Sequence, residues 1–93
     1  MNGDYLSSKR EQIAEFDRQI FELLRHRTDL ATCIGEYKAE HGLAVHDKDQ
    51  EKRVIERYRQ LAEEYGVDPD MAEELCKVVM QMAIDAENAV AKD

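Results

Sequence analysis

Between Arg10 and Lys38 the chain reads REQIAEFDRQIFELLRHRTDLATCIGEYK, and its apolar positions recur in alternating steps of three and four: Arg10, Ile13, Asp17, Ile20, Leu24, Arg27, Ala31, Ile34, Lys38. A repeat of about 3.5 residues is the seam of a helix that packs against other helices. The seam is interrupted by cations at Arg10, Arg27 and Lys38, where a purely structural helix would carry apolar side chains. A guanidinium taken out of water without an anion is costly, so Arg27, flanked by Leu24, Ala31 and Ile34, needs a negative partner. Asp17 lies ten residues away, roughly 15 Å along the axis, and is out of reach.

Spacing narrows where that charge sits. Arg27 and Lys38 are eleven residues apart, three turns, so they point the same way about 16 Å apart and lean toward a common point across small Ala31. Arg10 is roughly 25 Å before Arg27 and cannot share that point on one straight helix. A second copy running antiparallel, with its two-fold axis near Phe21, would set Arg10 of one chain opposite the gap between Arg27 and Lys38 of the other. The pattern thus predicts two equivalent pockets, each with three cations.

The first helix is expected over residues 7–41, capped by Ser7 or Ser8 and stopped by a left-handed Gly42. At about 50 Å it is longer than a globule of this size, whose radius of gyration is about 12 Å, can cover. Its seam, widened by Phe16, Leu23 and Leu30, must then be shielded by another subunit, most simply a two-fold partner. After GLAVH (residues 42–46), Asp47 opens a capping box in which Gln50 reaches back. A second helix, 48–65, follows on the stripe Glu51, Val54, Tyr58, Leu61, Tyr65. On spacing alone, Glu51 is either a solvated first-turn carboxylate favoured by the helix dipole or a residue facing the pocket. Gly66 ends this helix, and Asp68 with Pro69 starts a third, 69–91. Its main face reads Ala72, Leu75, Val79, Met82, Ala86, Val90, with Cys76, Val79, Ala83, Glu87, Val90 beside it. By pattern, Glu87 is more often an exposed residue of an acidic last turn. Met71, Met80 and Met82 read as core filler.

Composition bounds the rest. Ninety-three residues, 43% apolar and 37% charged with one proline, make one nearly all-helical domain spanning 1–93. A net charge of −8 argues against nucleic acid and anionic membrane surfaces as partners, and it makes the cations kept on a seam more conspicuous. No apolar run reaches the roughly 20 residues of a membrane span, and MNGDYLSSK has no signal-like core, so a cytoplasmic protein is expected. Cys33 and Cys76 read as packed free thiols, and His26, His41 and His46 are too irregularly placed to join them as metal ligands. Nothing in the sequence suggests a nucleotide loop, a metal, a cofactor or a covalent nucleophile. By itself the pattern describes an all-α dimer of three-helix chains with a cationic hole for a small anion bearing more than one negative group.

The residues that carry this pattern also carry a family likeness. The arginine at position 10, then IxxxDxxIxxLLxxR ending at Arg27, then Lys38, then DxxxE at Asp47 and Glu51 together resemble the all-helical class of chorismate mutases, over residues 9 to about 90. That resemblance implies an intertwined antiparallel homodimer converting chorismate to prephenate on the way to phenylalanine and tyrosine, without cofactor or metal. It implies that Arg10 of the partner chain and Arg27 hold the two substrate carboxylates and that Lys38 sits at the ether oxygen of the breaking bond. Asp47, through nearby backbone, and Glu51 would bind the ring hydroxyl, and Glu87 would face Lys38 across the ether oxygen. The catalytic set is then Lys38, Glu87 and Arg27, with Arg10, Asp47, Gln50, Glu51 and Ala83 completing the substrate contacts.

The chain departs from the family pattern at three of these positions. Glu87 stands where glutamine is common, and an ionised carboxylate cannot donate to the ether oxygen, so faster turnover at mildly acid pH is expected. Gln50 stands where arginine is frequent, leaving one fewer cation. Ala83 stands where some members carry a polar side chain. With no second catalytic or regulatory domain within the 93 residues, feedback by an aromatic amino acid is not expected. Two other readings share the pattern: a lyase on the same scaffold that eliminates pyruvate from isochorismate, and a non-catalytic helical dimerisation module. The retained cations argue against the latter, because leucine would make a more stable seam.

Overall fold

In a computed structural model the described residues are 2–91, and side chains are described for residues 3–90. The expected domain span of 1–93 includes positions 1, 92 and 93, which lie outside them. The chain forms three helices in the order α1 (Asn2–Glu40), α2 (Lys48–Tyr65) and α3 (Pro69–Ala91). The all-α reading holds, and no strand occurs among the described residues.

Each helix ends where local chemistry dictates. α1 stops because Gly42 takes a left-handed φ of 64°, which lets the Leu43 N–H turn back to the Lys38 carbonyl at 2.8 Å. α2 begins under Asp47, whose Oδ1 accepts from the Gln50 N–H at 3.1 Å, and ends at Gly66 with φ 70°. Asp68 Oδ1 accepts from the Asp70 N–H at 2.8 Å, and Pro69 opens α3.

Two local details differ from expectation. α1 starts at Asn2, not near Ser7, because nothing in GDYLSSK breaks a helix and Asp4 favours the first turn. Ser7 and Ser8 therefore lie inside the helix, and Ser8 Oγ accepts from Gln12 Nε2 at 3.4 Å. The capping box is half made: the Gln50 side chain does not reach back, and its Oε1 instead accepts from Arg53 at 2.9 Å.

α3 is the central element, packing on both α1 and α2, whereas α1 and α2 do not pack on each other among the described residues. The core lies on the second half of α1: Ala31, Val54, Ala62, Ala72, Cys76 and Val79 are buried, together with Gly35 and Glu87. The face of α3 that turns inward is therefore Ala72, Cys76, Val79, Ala83 and Glu87. Leu75 is 58% exposed, Met71 is exposed and Met82 is borderline, so the expected main face is rotated by about one residue position. The close fit of α3 on Gly35 selects the stripe with smaller side chains. α2 follows its stripe only through Val54 and Tyr58, then buries Ala62 and leaves Leu61 and Tyr65 exposed. Cys76 is fully buried, as expected, but Cys33 is exposed on this chain.

Arg59 ties α2 to the start of α3, meeting Asp70 Oδ1 and Glu73 Oε1, each at 3.1 Å, and donating to the Pro69 carbonyl at 3.3 Å. The hydrogen bond to Asp70, more than that to Glu73, pushes the guanidinium above its ordinary pKa.

The radius of gyration is 17.1 Å and the long axis 61 Å, well beyond a compact chain of this size. The cause is α1, whose first half extends past the other two helices. From Gly3 to Leu23 every α1 residue is exposed, including Ile13, Phe16, Ile20, Phe21 and Leu23.

Candidate active site

Where the second half of α1 meets α2 and α3, a solvent-open cavity of about 300 Å³ forms. Arg27, Leu30, Ala31, Ile34 and Lys38 line it from α1, Val45 and Asp47 from the connection, Gln50, Glu51, Val54 and Arg57 from α2, and Met80, Ala83, Ile84 and Glu87 from α3. Every site residue named from the sequence is in that lining except Arg10. Arg10 is exposed on the outer half of α1, and its 17-residue separation puts it roughly 25 Å from Arg27.

At one end of the cavity, Lys38 Nζ lies 2.8 Å from Glu87 Oε1. The same Nζ donates a hydrogen bond to the Val45 carbonyl at 2.8 Å. Glu87 Oε1 is buried yet accepts no directed hydrogen bond, so its contact with the ammonium is a close charge pair with hydrogen-bonding capacity to spare. Glu87 is only 7% exposed, which reverses the surface reading that pattern alone favoured for it. What places it there is Gly35: a β-carbon on that glycine would stand 2.7 Å from Glu87 Cα, so α1 and α3 touch backbone to backbone at this level.

Glu51 is half-buried on the cavity wall, with Oε2 3.8 Å from His46 Nδ1, an ion pair only when the imidazole is protonated. Its pocket-facing alternative is therefore the one realised. Asp47 is occupied as the α2 cap, and Ala83 presents only a methyl group.

Toward the other end, Arg27 is half-buried and forms no ion pair with a carboxylate among the described residues. Arg57 lines the cavity as well and was missed by the sequence reading, which searched α1 for cations. Its signal was present: Gln50, Val54 and Arg57 follow the i, i+4, i+7 spacing of one helix face. Burial pushes the Cys76 thiol above its ordinary pKa, while Arg27 and then Arg57 pull it back down, so both guanidiniums approach the same point of α3.

Such a cavity, apolar along its middle with cations at its ends, suits a small ligand bearing more than one anionic group. Comparison with known proteins agrees. The chain is 32% identical over 83 residues to the T-protein of Enterobacter agglomerans, a match covering 89% of this chain and 22% of that protein. It is 29% identical over 76 residues to the chorismate mutase of Methanocaldococcus jannaschii, covering 82% of this chain and 77% of that protein. It is also 36% identical over 62 residues to the bifunctional chorismate mutase/prephenate dehydratase of Aquifex aeolicus, covering 66% of this chain and 17% of that protein. The chain thus corresponds to a small part of the longer relatives and to most of the shorter one. The family described as chorismate mutase type II matches residues 9–88, which take in Arg10, the whole cavity lining, all of α2 and most of α1 and α3, and this chain belongs to that family.

Proposed function

We propose that this chain is a chorismate mutase, converting chorismate to prephenate as a cytoplasmic homodimer. The observation that carries the reading is the Lys38–Glu87 pair, 2.8 Å apart, at one end of a cavity whose two guanidiniums, Arg27 and Arg57, pair with no carboxylate among the described residues. Among the described residues no helix is long and apolar enough to cross a membrane.

The rearrangement is intramolecular: one C–O bond breaks as one C–C bond forms, and no proton, electron or group is exchanged. Such a reaction needs no nucleophile or general base. It needs a flexible dianion held folded so that its two ends meet, which guanidinium–carboxylate pairs accomplish as an orientation effect. As the C–O bond lengthens, negative charge grows on the ether oxygen, and the ammonium of Lys38 stabilises that charge more than it stabilises the ground state. Glu87, when protonated, adds a second donor on the same oxygen. Glu51 accepts from the ring hydroxyl, the backbone near Asp47 meets the same group, and Gln50 and Ala83 border the substrate.

The partner chain supplies Arg10. Supporting this is the exposed apolar half of α1, with Ile13, Ile20 and Phe21 at 59%, 52% and 73% exposure, a continuous stripe that an antiparallel copy would cover. Such a copy would bring its Arg10 over the cavity between Arg27 and Lys38.

Incubation with chorismate, followed by spectrophotometric loss of the enol ether and identification of the product, tests the reading. Prephenate is expected. Release of pyruvate from isochorismate with no prephenate from chorismate would replace it with the lyase, and inertness toward both compounds would leave the dimerisation module.

A further inference from the structure

Six charged groups line the cavity, three cations and three carboxylates, and they are not equally committed. Asp47 caps α2, Glu51 lies beside His46, and Glu87 meets Lys38, so each carboxylate already has a use. The Lys38 ammonium is shared between Glu87 and the Val45 carbonyl. What remains is a pair of guanidiniums, Arg27 and Arg57, neither of which forms an ion pair with a carboxylate among the described residues.

The two arginines stand at one end of the site. α1 and α3 run in the same direction, since Gly35 meets Glu87 while Arg27 acts on Cys76, eleven residues earlier on α3. α2 runs the opposite way, carrying the chain from Asp47 at the Lys38 end to Arg57, ten residues or about 15 Å farther along. Val54, 7% exposed, fixes which face of α2 turns inward, and Arg57, three residues on, shares that face. Arg53 and Arg57 are both exposed to solvent, but Arg57 lines the cavity, whereas Arg53 lies outside it and donates to Gln50 Oε1.

We propose that Arg57 is a further substrate-binding residue, gripping a carboxylate of the ligand together with Arg27 at the end of the cavity opposite Lys38 and Glu87. This assignment rests on the mutase reading for the identity of the ligand, a dicarboxylate, but not for the existence of the cationic end. It gives a chain that has glutamine at position 50 a second guanidinium of its own, supplied one helical face-repeat later. A planar fork matches a carboxylate in a way that a distant point charge cannot, so the role is one of geometry as well as charge.

Calorimetric binding of chorismate and steady-state turnover, measured side by side on the parent, R57Q, R57K and R53Q, test the proposal. R53Q removes the same charge from the same helix outside the cavity and reports the long-range field together with the hydrogen bond to Gln50 Oε1. Weakening of chorismate binding by roughly tenfold to a hundredfold in R57Q is expected, with a matching fall in kcat/KM. R53Q should stay within about twofold of the parent at moderate salt, and R57K should fall between R57Q and the parent. Unchanged thermal midpoints of the ligand-free variants would confirm that only the site was altered.

R57Q and R53Q behaving alike would overturn the assignment while leaving a working mutase. A parent that binds chorismate but does not convert it, with binding still dependent on Arg57, would overturn the mutase reading and leave the assignment standing.

Discussion

Gly35 and Glu87 meet backbone to backbone, so closely that a β-carbon on Gly35 would lie 2.7 Å from Glu87 Cα, 3.1 Å from its carbonyl oxygen and 3.2 Å from its Cβ. Two of those three atoms are backbone, and no side-chain rotation relieves the clash. The contact fixes how near α3 comes to α1, and with it the distance from Lys38, three residues after Gly35, to the Glu87 carboxylate. Gly35→Ala is therefore expected to destabilise the fold by about 1–3 kcal/mol, the usual cost of overpacking, despite the better helix propensity of alanine. Turnover should fall more than substrate affinity, because in the proposed mutase the displaced pair acts at the reacting bond. Thermal denaturation together with kcat and KM checks both; a variant with parent-like stability and kcat would show that the approach has no role in the site.

In the proposed mutase, Lys38 is the group placed where charge develops. Removing one preplaced donor of this kind costs on the order of a hundredfold or more in rate. Lys38→Ala is expected to lower kcat by at least that much and to change KM far less. The same change strips Glu87 of its cation in a nearly buried position, so a lower thermal midpoint is also expected. Equal losses in kcat and in ground-state affinity would assign Lys38 to binding instead.

Glu87 can donate a hydrogen bond to an ether oxygen only when it carries a proton. Lys38 faces it from α1, and Glu51 and Asp47 line the same cavity from α2 and the connection. A donor role for Glu87 makes the parent rate fall as the pH rises, because the carboxylate form has no hydrogen to give. Glu87→Gln keeps an N–H donor at every pH, and its rate should be flat over the same range. Parallel pH–rate profiles for the two proteins would eliminate protonated Glu87 from the mechanism.

Much of this architecture was legible in the sequence because the signals were local or strongly periodic. Asp47, Gly66, Asp68, Pro69 and Gly42 set helix ends by their own backbone chemistry, and the caps and stops formed as those residues dictate. Arg27 and Lys38 stood out because charge on an apolar seam demands a reason. What the pattern did not resolve depended on tertiary contact. Leu75 and Cys76 head two adjacent stripes of α3 with nearly equal apolar content, and only the fit against Gly35 decides that Cys76, Ala83 and Glu87 turn inward. On the outer half of α1 no competing signal stopped the helix, so it ran back to Asn2 through the serines that read as caps. Arg57 escaped because the apolar stripe of α2 steps from Val54 to Tyr58, and the three-residue step from Val54 to Arg57 was not followed.

The central claim is that a working cavity borrows the Arg10 guanidinium of a second chain, and mixing two inactive variants tests it most directly. Arg10→Ala and Arg27→Ala should each be nearly inert as homodimers. A hybrid of the two has one cavity with both guanidiniums and one with neither. After unfolding and co-refolding at equal concentrations, half of the dimers should be hybrids, restoring roughly a quarter of the parent activity. Mixtures that remain inert although hybrids are demonstrated by mass spectrometry, or an Arg10→Ala protein that is fully active alone, would contradict the account.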